Sequence, residues 1–461
     1  MAHSDAAHVP AVRAAPMAAL ALLAVTLFLL TADLVHVTWS GAKIKYGYFA
    51  VLSLWLTAPR AMLGSGLAGL RAAPRWPLVL LLPLAVTVAT SHDVRASVAW
   101  TLWLAFDLFT VLTVYAFLTA NRFRTRQVAA AAAAALALVA LGGLAQFAAI
   151  HGFGRVILSP QQHLDVYRIN GLAGWPHFLC IFAFLLLPLV ATQERLSPAV
   201  KVALAALVFV LVQSTAKTGW LLFLALASLM LWFDRATFTR QFLGFLLPAT
   251  IAVLLLPLPS PPPSVAPAAG SAAATGSAKI HAFAQDLDVT RGTTSGADRL
   301  LINSMGLAVF AQHPWFGVGP RAYGAYVTTR FDAELPGVNK RDANGTVNTR
   351  NENIWIEALA EGGLFLTLGL AVLLVSTLRV PGFAFRNRLH FGAFVALVLY
   401  FGLSGQVSQT GLLTLAYAVL GVFLYARNQR PVAKSEIFMR SRMSVPFDAR
   451  GPLSASTRPH S

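Results

Sequence analysis

Charged residues are scarce in this chain. Asp, Glu, Lys and Arg make up 11% of its 461 residues, whereas hydrophobic residues make up 57%. Soluble globular domains carry roughly 25% charged residues. The shortage of charge therefore excludes an ordinary soluble enzyme, and it indicates a membrane protein.

Cysteine and metal-ligand patterns are also nearly absent. Cys180 is the only cysteine and lies within an apolar run, so an intrachain disulfide and a CxxC redox pair are excluded. No zinc spacing or helix-turn-helix pattern accompanies the net charge of +17, and we expect no nucleic-acid partner. No His cluster has the spacing of metal ligands, and we expect no metal and no other cofactor.

Apolar runs take the place of charge along most of the chain, and many are long enough to cross a hydrocarbon core of roughly 30 Å. Residues 1–15 lack the layout of a cleaved signal peptide, so we expect the first span to be retained. The predicted fold class is an all-α polytopic membrane protein with about twelve transmembrane helices. The twelve predicted spans are Met17–Val35, Tyr46–Thr57, Trp76–Thr90, Val98–Leu118, Val128–Ile150, Gly171–Ala191, Ala199–Gln213, Gly219–Trp232, Phe242–Leu258, Ile354–Leu378, Phe391–Val407 and Leu412–Ala426.

The spans divide the chain into four parts. Nine spans fall in residues 1–258, one large loop occupies 259–353, and three further spans fall in 354–426. Residues 427–461 form a basic tail that we expect to be disordered. Most Lys and Arg residues lie on the side of the two termini. The positive-inside rule therefore predicts that both termini are cytoplasmic and that the large loop faces the other side.

The large loop has its own organisation. Residues 259–278 are rich in Pro, Ala and Ser and predict a flexible tether. A helix is predicted over Arg299–Gln312, and the sequence HPWFGVGPRAYG after it predicts a sharp turn. A helix and a partly ordered loop of this kind are expected to form a lid on the membrane.

Basic residues at the loop-side ends of the spans are candidates for binding a charged headgroup. Lys217 lies in the connection between two short spans, Arg168 precedes the sixth span, and Arg321 follows the loop helix. Arginine binds phosphate oxygens bidentately, so these cations suit a diphosphate, with Arg299 at the start of the loop helix as a fourth. Such a clamp would neutralise a departing diphosphate in place of Mg²⁺. The alternative for each is an interfacial or solvated charge.

Acidic residues open the tenth span, just after Arg350. Glu352 and Asn353 stand at its start, where helix capping and the helix dipole explain them. Glu357 and Glu361 follow on the face of Asn353. Glu361 lies roughly 12 Å further along the helix than Asn353. A carboxylate buried at that depth needs a hydrogen-bonding partner or serves as a base. Asp107, in the middle of the fourth span, raises the same question.

These motifs resemble the O-antigen ligase and O-antigen polymerase family of bacterial inner-membrane proteins. The family's elements are matched by four groups of residues: Arg168, Gly171 and Pro176; Lys217, Thr218 and Gly219; Arg299, Pro314, Gly317 and Gly319; and Asn353, Ala360, Glu361 and Gly363. The resemblance covers roughly 46–426 and is strongest over 299–364. Two positions depart from the family: Lys217 replaces the usual Arg, and Glu352 replaces the His of ligases. The second departure favours polymerisation.

The resemblance implies a GT-C-like multi-helix glycosyltransferase of lipopolysaccharide or exopolysaccharide biosynthesis that works without metal. It would transfer a glycan from an undecaprenyl-diphosphate carrier to an acceptor hydroxyl at the periplasmic face, the acceptor being another glycan or lipid A-core. It implies that Glu352, Asn353 and Arg299 are catalytic and that Lys217, Arg168 and Arg321 bind the diphosphate. The supporting residues would be Glu361, Glu357 and Arg350.

Other functions stay open at this stage. Within the enzyme class, the chain is a polymerase, a ligase or a protein O-oligosaccharyltransferase, and these differ in acceptor. A lipid-linked oligosaccharide flippase would favour broken helices and an internal repeat. No clear repeat is present, and the polar residues cluster in one loop. A scaffold of an envelope assembly complex is a further alternative. Partners that set chain length or assemble the envelope fit any of these.

Overall fold

The structure is a computed structural model that describes residues 17–39, 42–57, 64, 81–158, 161–163, 166–214, 216–256, 295–330, 353–404 and 410–429. Within these ranges the chain is almost entirely helical. The helices are α1 (Met17–Thr31), α2 (Tyr46–Leu56), α3 (Leu81–Ala89), α4 (Val94–Ala120), α5 (Thr125–Phe153), α6 (Pro176–Ala191), α7 (Pro198–Gln213), α8 (Lys217–Phe233), α9 (Arg235–Leu255), α10 (Ser295–Gln312), α11 (Tyr323–Arg330), α12 (Ile354–Leu378), α13 (Arg388–Leu399) and α14 (Thr410–Asn428).

The predicted all-α membrane class is confirmed, with a helix that overlaps each predicted span. Among the described residues, four helices are long and apolar enough to cross a membrane alone: Val94–Ala120, Thr125–Phe153, Arg235–Leu255 and Ile354–Phe383. The other helices in predicted spans are shorter. The count of twelve therefore stays a prediction.

Short structures between the helices were not predicted from the sequence. An antiparallel hairpin pairs β1 (His36–Trp39) with β2 (Ala42–Lys45), and a second pairs β3 (Gln161–His163) with β4 (Val166–Arg168). The sixth predicted span begins five residues later than expected, because Gly171–Ala173 forms a separate 3₁₀ turn. The loop contains a second helix, α11, in addition to the expected one.

Helix α6 lies at the centre of the bundle. Nearly all of its side chains are buried, as expected for a helix that is apolar on every face. It packs against α5, α8, α13 and α14. Gly392 of α13 approaches the backbone of α6 at Pro188 and Leu189 so closely that a larger residue would overlap it.

The helices alternate in direction, which defines two ends of the bundle. The loop end carries the α3–α4 connection, residues 166–176, the α7–α8 turn and the start of α12. The tail end carries the α4–α5, α6–α7 and α12–α13 connections and the end of α14. At the tail end, Arg388 forms an ion pair with Asp234, and Arg240 donates a hydrogen bond to the Glu194 carbonyl.

Helix α12 is broken at Gly363, which has φ +64° and ψ −170°. This conformation is essentially restricted to glycine. The break removes the helical partners of nearby peptide groups, and residues 314–321, here called the strap, replace them. Val318 N–H donates to the Ala360 carbonyl at 3.0 Å and Gly319 N–H donates to the Glu361 carbonyl at 2.9 Å.

Hydrogen bonds between the strap and α12 are donated in both directions. Leu364 N–H donates to the Pro314 carbonyl at 2.8 Å. A side chain at Gly363 would overlap the backbone of Trp315 and Phe316, and one at Gly317 would overlap the backbone of Glu361. The two glycine-containing motifs singled out in the sequence therefore form one structural unit.

We predict that Gly363→Ala destabilises the fold by about 3 kcal/mol or more, because a disallowed backbone conformation and a steric overlap add together. Gly382→Ala is the matched control, since Gly382 also has positive φ but has open space around it. It is expected to cost roughly 1–2 kcal/mol. Thermal unfolding of both variants in detergent measures the difference. Equal losses of stability in the two variants would show that the close packing of Gly363 against the strap does not contribute to stability.

Candidate functional site

Arg168 lies against the turn between α7 and α8. Its Nε donates to the Ser214 carbonyl at 3.1 Å, and Ile169 N–H donates to the Gln213 carbonyl at 3.4 Å. Lys217 begins α8 on the other side of this turn and is half-buried. The structure thus brings together two of the three cations predicted to bind a diphosphate.

A buried amide network holds the Arg168 segment in place. The Gln146 side chain on α5 accepts hydrogen bonds from the N–H groups of Asn170 and Gly171 at 2.9 and 2.8 Å. Its Nε2 donates to the Asn170 side chain at 2.7 Å and to the Ile157 carbonyl at 3.2 Å. Gln146 and Asn170 are both fully buried. Sequence reasoning missed them, although a lone amide in an Ala-rich helix was a usable signal.

A narrow apolar groove begins at the α7–α8 turn and lies between α6, α7, α8 and α9. Ala216 and Gly219, which flank Lys217 on either side, contribute to its wall together with Trp220. Apart from the indole of Trp220, Thr250 is the one polar side chain among the described residues that line it. The groove places an apolar surface close to Lys217, which lies between Ala216 and Gly219.

The start of α12 lies at the same end, next to the end of α13. Asn353 caps α12, because its side-chain oxygen accepts from the N–H groups of Trp355 and Ile356 at 2.9 and 3.3 Å. Trp355 Nε1 donates to the Phe401 carbonyl at 2.9 Å. Phe401 lies in a π-helical turn, Tyr400–Ser404, that packs against α6 and α8. Asn353 is therefore brought to the neighbourhood of α8, which Lys217 begins.

Glu361 anchors the strap. Its carboxylate accepts from the backbone N–H of Arg321 at 2.8 Å and also from the backbone N–H of Tyr323, at the start of α11. Arg321 has φ +61°, so its backbone is held in an unfavoured conformation at this point. Glu357 is buried one turn away. The buried Glu361 carboxylate was expected to have a partner, and backbone N–H groups at the start of α11 fill this role.

Ser97 and His92 of the α3–α4 region hold the same part of the strap from the other side. Ser97 Oγ donates to the Pro320 carbonyl at 2.7 Å, and His92 N–H donates to the Val318 carbonyl at 2.8 Å. Sequence reasoning missed these residues as well. Their positions on helix and turn give no sign of a partner more than 200 residues away.

The remaining predicted residues are located only in part. Arg299 lies in the first half of α10. Glu352 and Arg350 fall outside the described residues. Within the described ranges, no group of three His, Cys, Asp or Glu residues is arranged to hold a metal ion.

Asp107 lies away from this site, about 20 Å along α4 from its start at the loop end. Its Oδ1 accepts a hydrogen bond from Thr414 Oγ1 of α14 at 2.5 Å, and its side chain is buried. Helices α4 and α14 pack closely along their length. The carboxyl group therefore contributes to a helix–helix contact within the membrane.

Residues 202–374 match the family model described as O-antigen ligase. This stretch of the chain is therefore similar to the O-antigen ligase family. The domain extends from α7 to α12 and contains Lys217, the strap and the α12 break, whereas Arg168 and Gln146 precede it. No curated protein is significantly similar to the chain. The match supports the resemblance drawn from the sequence motifs.

The hydrogen bonds of the Gln146 side chain predict that the position of Arg168 depends on it. Replacing Gln146 with Ala leaves buried peptide groups without partners, at about 1–3 kcal/mol each. We predict at least a roughly tenfold loss of glycan transfer, because even a small displacement of a substrate-binding side chain slows a reaction steeply. Gln241→Ala is the control, since Gln241 is a buried amide that bonds two backbone carbonyls at the tail end. Equal activity of the two variants at matched protein levels would contradict the assignment.

For Glu361, the structure predicts that Glu361→Gln is tolerated far better than Glu361→Ala. Glutamine retains an oxygen that accepts from the Arg321 N–H, whereas alanine leaves this N–H buried without a partner. Thermal stability and glycan transfer are measured together for both variants. A Gln variant as inactive as the Ala variant, with unchanged stability, would show that the negative charge itself is required.

Proposed function

We propose that the chain transfers a glycan from an undecaprenyl-diphosphate carrier to an acceptor hydroxyl at the periplasmic face, as a polymerase or ligase of cell-surface polysaccharide. The observation that carries this proposal is the position of Arg168 and Lys217 at a single turn beside an apolar groove. A lipid-linked diphosphate has the same two parts, an anionic head and a hydrocarbon chain. The O-antigen ligase domain supports the reaction class.

The chemistry assigns a role to each group. The bond between the sugar's anomeric carbon and the carrier phosphate breaks, a bond from the acceptor oxygen to that carbon forms, and undecaprenyl diphosphate leaves. Arg168 and Lys217 stabilise the charge that develops on the diphosphate, and Arg299 and Arg321 of the loop assist. Glu352 accepts the hydroxyl proton, and Asn353 orients this residue by fixing the start of α12.

Orientation follows from the distribution of charge. Exposed arginines at the tail end include Arg122, Arg124 and Arg126, beside the ion pair of Arg388. A cytoplasmic tail end satisfies the positive-inside rule and places the loop end in the periplasm. The chain would then act in the inner membrane with both termini in the cytoplasm. Glycans on the outer face of that membrane would reach the site directly.

We predict that Lys217→Ala, Arg168→Ala and Arg299→Ala each abolish or strongly reduce surface glycan, because the leaving diphosphate loses a compensating charge. Lys217→Arg, which retains the charge, is expected to keep activity. Arg126→Ala is the control, as Arg126 is an exposed cation at the opposite end. Surface glycan and lipid-linked intermediates are examined by gel and mass spectrometry after chromosomal replacement, at equal protein levels.

The intermediates distinguish the two forms of the reaction. Loss of polymer with single repeat units left on the carrier identifies a polymerase, which the Glu352 position favours. Loss of surface polymer with long chains left on the carrier identifies a ligase. Normal glycan in all three Ala variants would overturn the proposed site.

A further inference from the structure

The lower part of α12, beyond its break, presents one continuous apolar face outward. Its members are spaced at three or four residues and are all exposed: Phe365, Leu368, Val372 and Val375. Residues at this spacing lie on one side of a helix. Since the chain is a multi-pass membrane protein, an exposed apolar face of this kind is the face that meets lipid.

Trp315 of the strap extends this face past the break. Its ring stacks on the Phe365 ring, with centroids 5.6 Å apart and planes 29° apart. Phe316 also packs on Phe365, at 5.5 Å. Trp315 is nevertheless 56% exposed, although it is one of the largest apolar side chains of the strap. An exposed Trp is thus continuous with the lipid-facing surface.

The depth of Phe365 supports the same conclusion. It precedes Arg379, at the tail-end terminus of α12, by a helical length of about 21 Å. The hydrocarbon core is roughly 30 Å thick. With Arg379 at the tail-end interface, the Phe365 ring lies within the hydrocarbon. Trp315, which is level with Phe365, then lies in the loop-side part of the hydrocarbon, close to the boundary where tryptophan is enriched in membrane proteins.

The geometry points to Trp315 as a lipid-interface anchor, by which the strap binds the boundary between acyl chains and headgroups. The strap carries the backbone groups that close the α12 break, and it leads into α10 and α11 on either side. An anchor at Trp315 therefore fixes the depth of this part of the loop relative to the membrane. The inference is independent of the proposed reaction, because it concerns lipid contact alone.

Spin labels test the contact directly. Single cysteines replace Trp315, Leu368 and Arg330, one at a time, in a Cys180→Ala background, and the labelled protein is placed in phosphatidylethanolamine–phosphatidylglycerol nanodiscs. Leu368 is the lipid-facing control. Arg330 is the aqueous control, since it is an exposed, charged residue at the end of α11 in the same loop. All three side chains are exposed, so labelling is not expected to disturb folding.

The measurement is the ratio of collisions with oxygen, which concentrates in lipid, to collisions with a water-soluble nickel chelate. We expect this ratio at position 315 to be several-fold above that at position 330 and to approach that at position 368. A ratio at 315 equal to that at 330 would overturn the inference. It would place the Trp315 ring in water, where a stacking surface for sugar rings would be the explanation to pursue.

Discussion

The rest of the loop end depends on backbone hydrogen bonds that cross the break in α12. A broken helix within or beside a membrane leaves peptide groups without partners, and each such group costs several kcal/mol in hydrocarbon. The strap supplies both donors and acceptors, so the break is tolerated only while the strap is seated. Because the strap lies between α10 and α11, the same bonds fix where the described part of the loop meets the bundle.

Two supports of different kinds therefore hold the candidate site. The Arg168 segment is placed by the buried amides of Gln146 and Asn170, within the bundle itself. The strap is placed by Glu361 and by Ser97, from helices on either side of it. Both supports act through backbone groups of irregular segments, which cannot satisfy themselves as a helix does. A site made of loops thus acquires fixed geometry.

Two buried carboxyl groups, those of Glu361 and Asp107, have hydrogen-bond partners that join separate parts of the structure. Glu361 accepts N–H groups at the start of α11, and Asp107 accepts a hydroxyl across the α4–α14 contact. The sequence treated both as candidates for proton transfer or pairing, because a buried acid is costly without a partner. In each case the structure supplies a partner, from the backbone for Glu361 and from Thr414 for Asp107. Arg168 and Lys217, in contrast, lie at the loop end beside an apolar groove.

The sequence by itself determined the membrane class, most positions of the helices and the resemblance to O-antigen ligases, because long apolar runs and glycine-punctuated motifs are local signals. It also marked Arg168 and Lys217, since cations at span ends stand out against an apolar background. Only the tertiary structure decided that Gly317 packs on Glu361, that Gly363 packs on Trp315, and that Gln146 supports the Arg168 segment. Those pairings join residues far apart in the chain, and hydropathy carries no information about which peptide groups meet. The hairpins and helix α11 were missed for a related reason: they are too short for a periodic pattern, and their neighbours stabilise them.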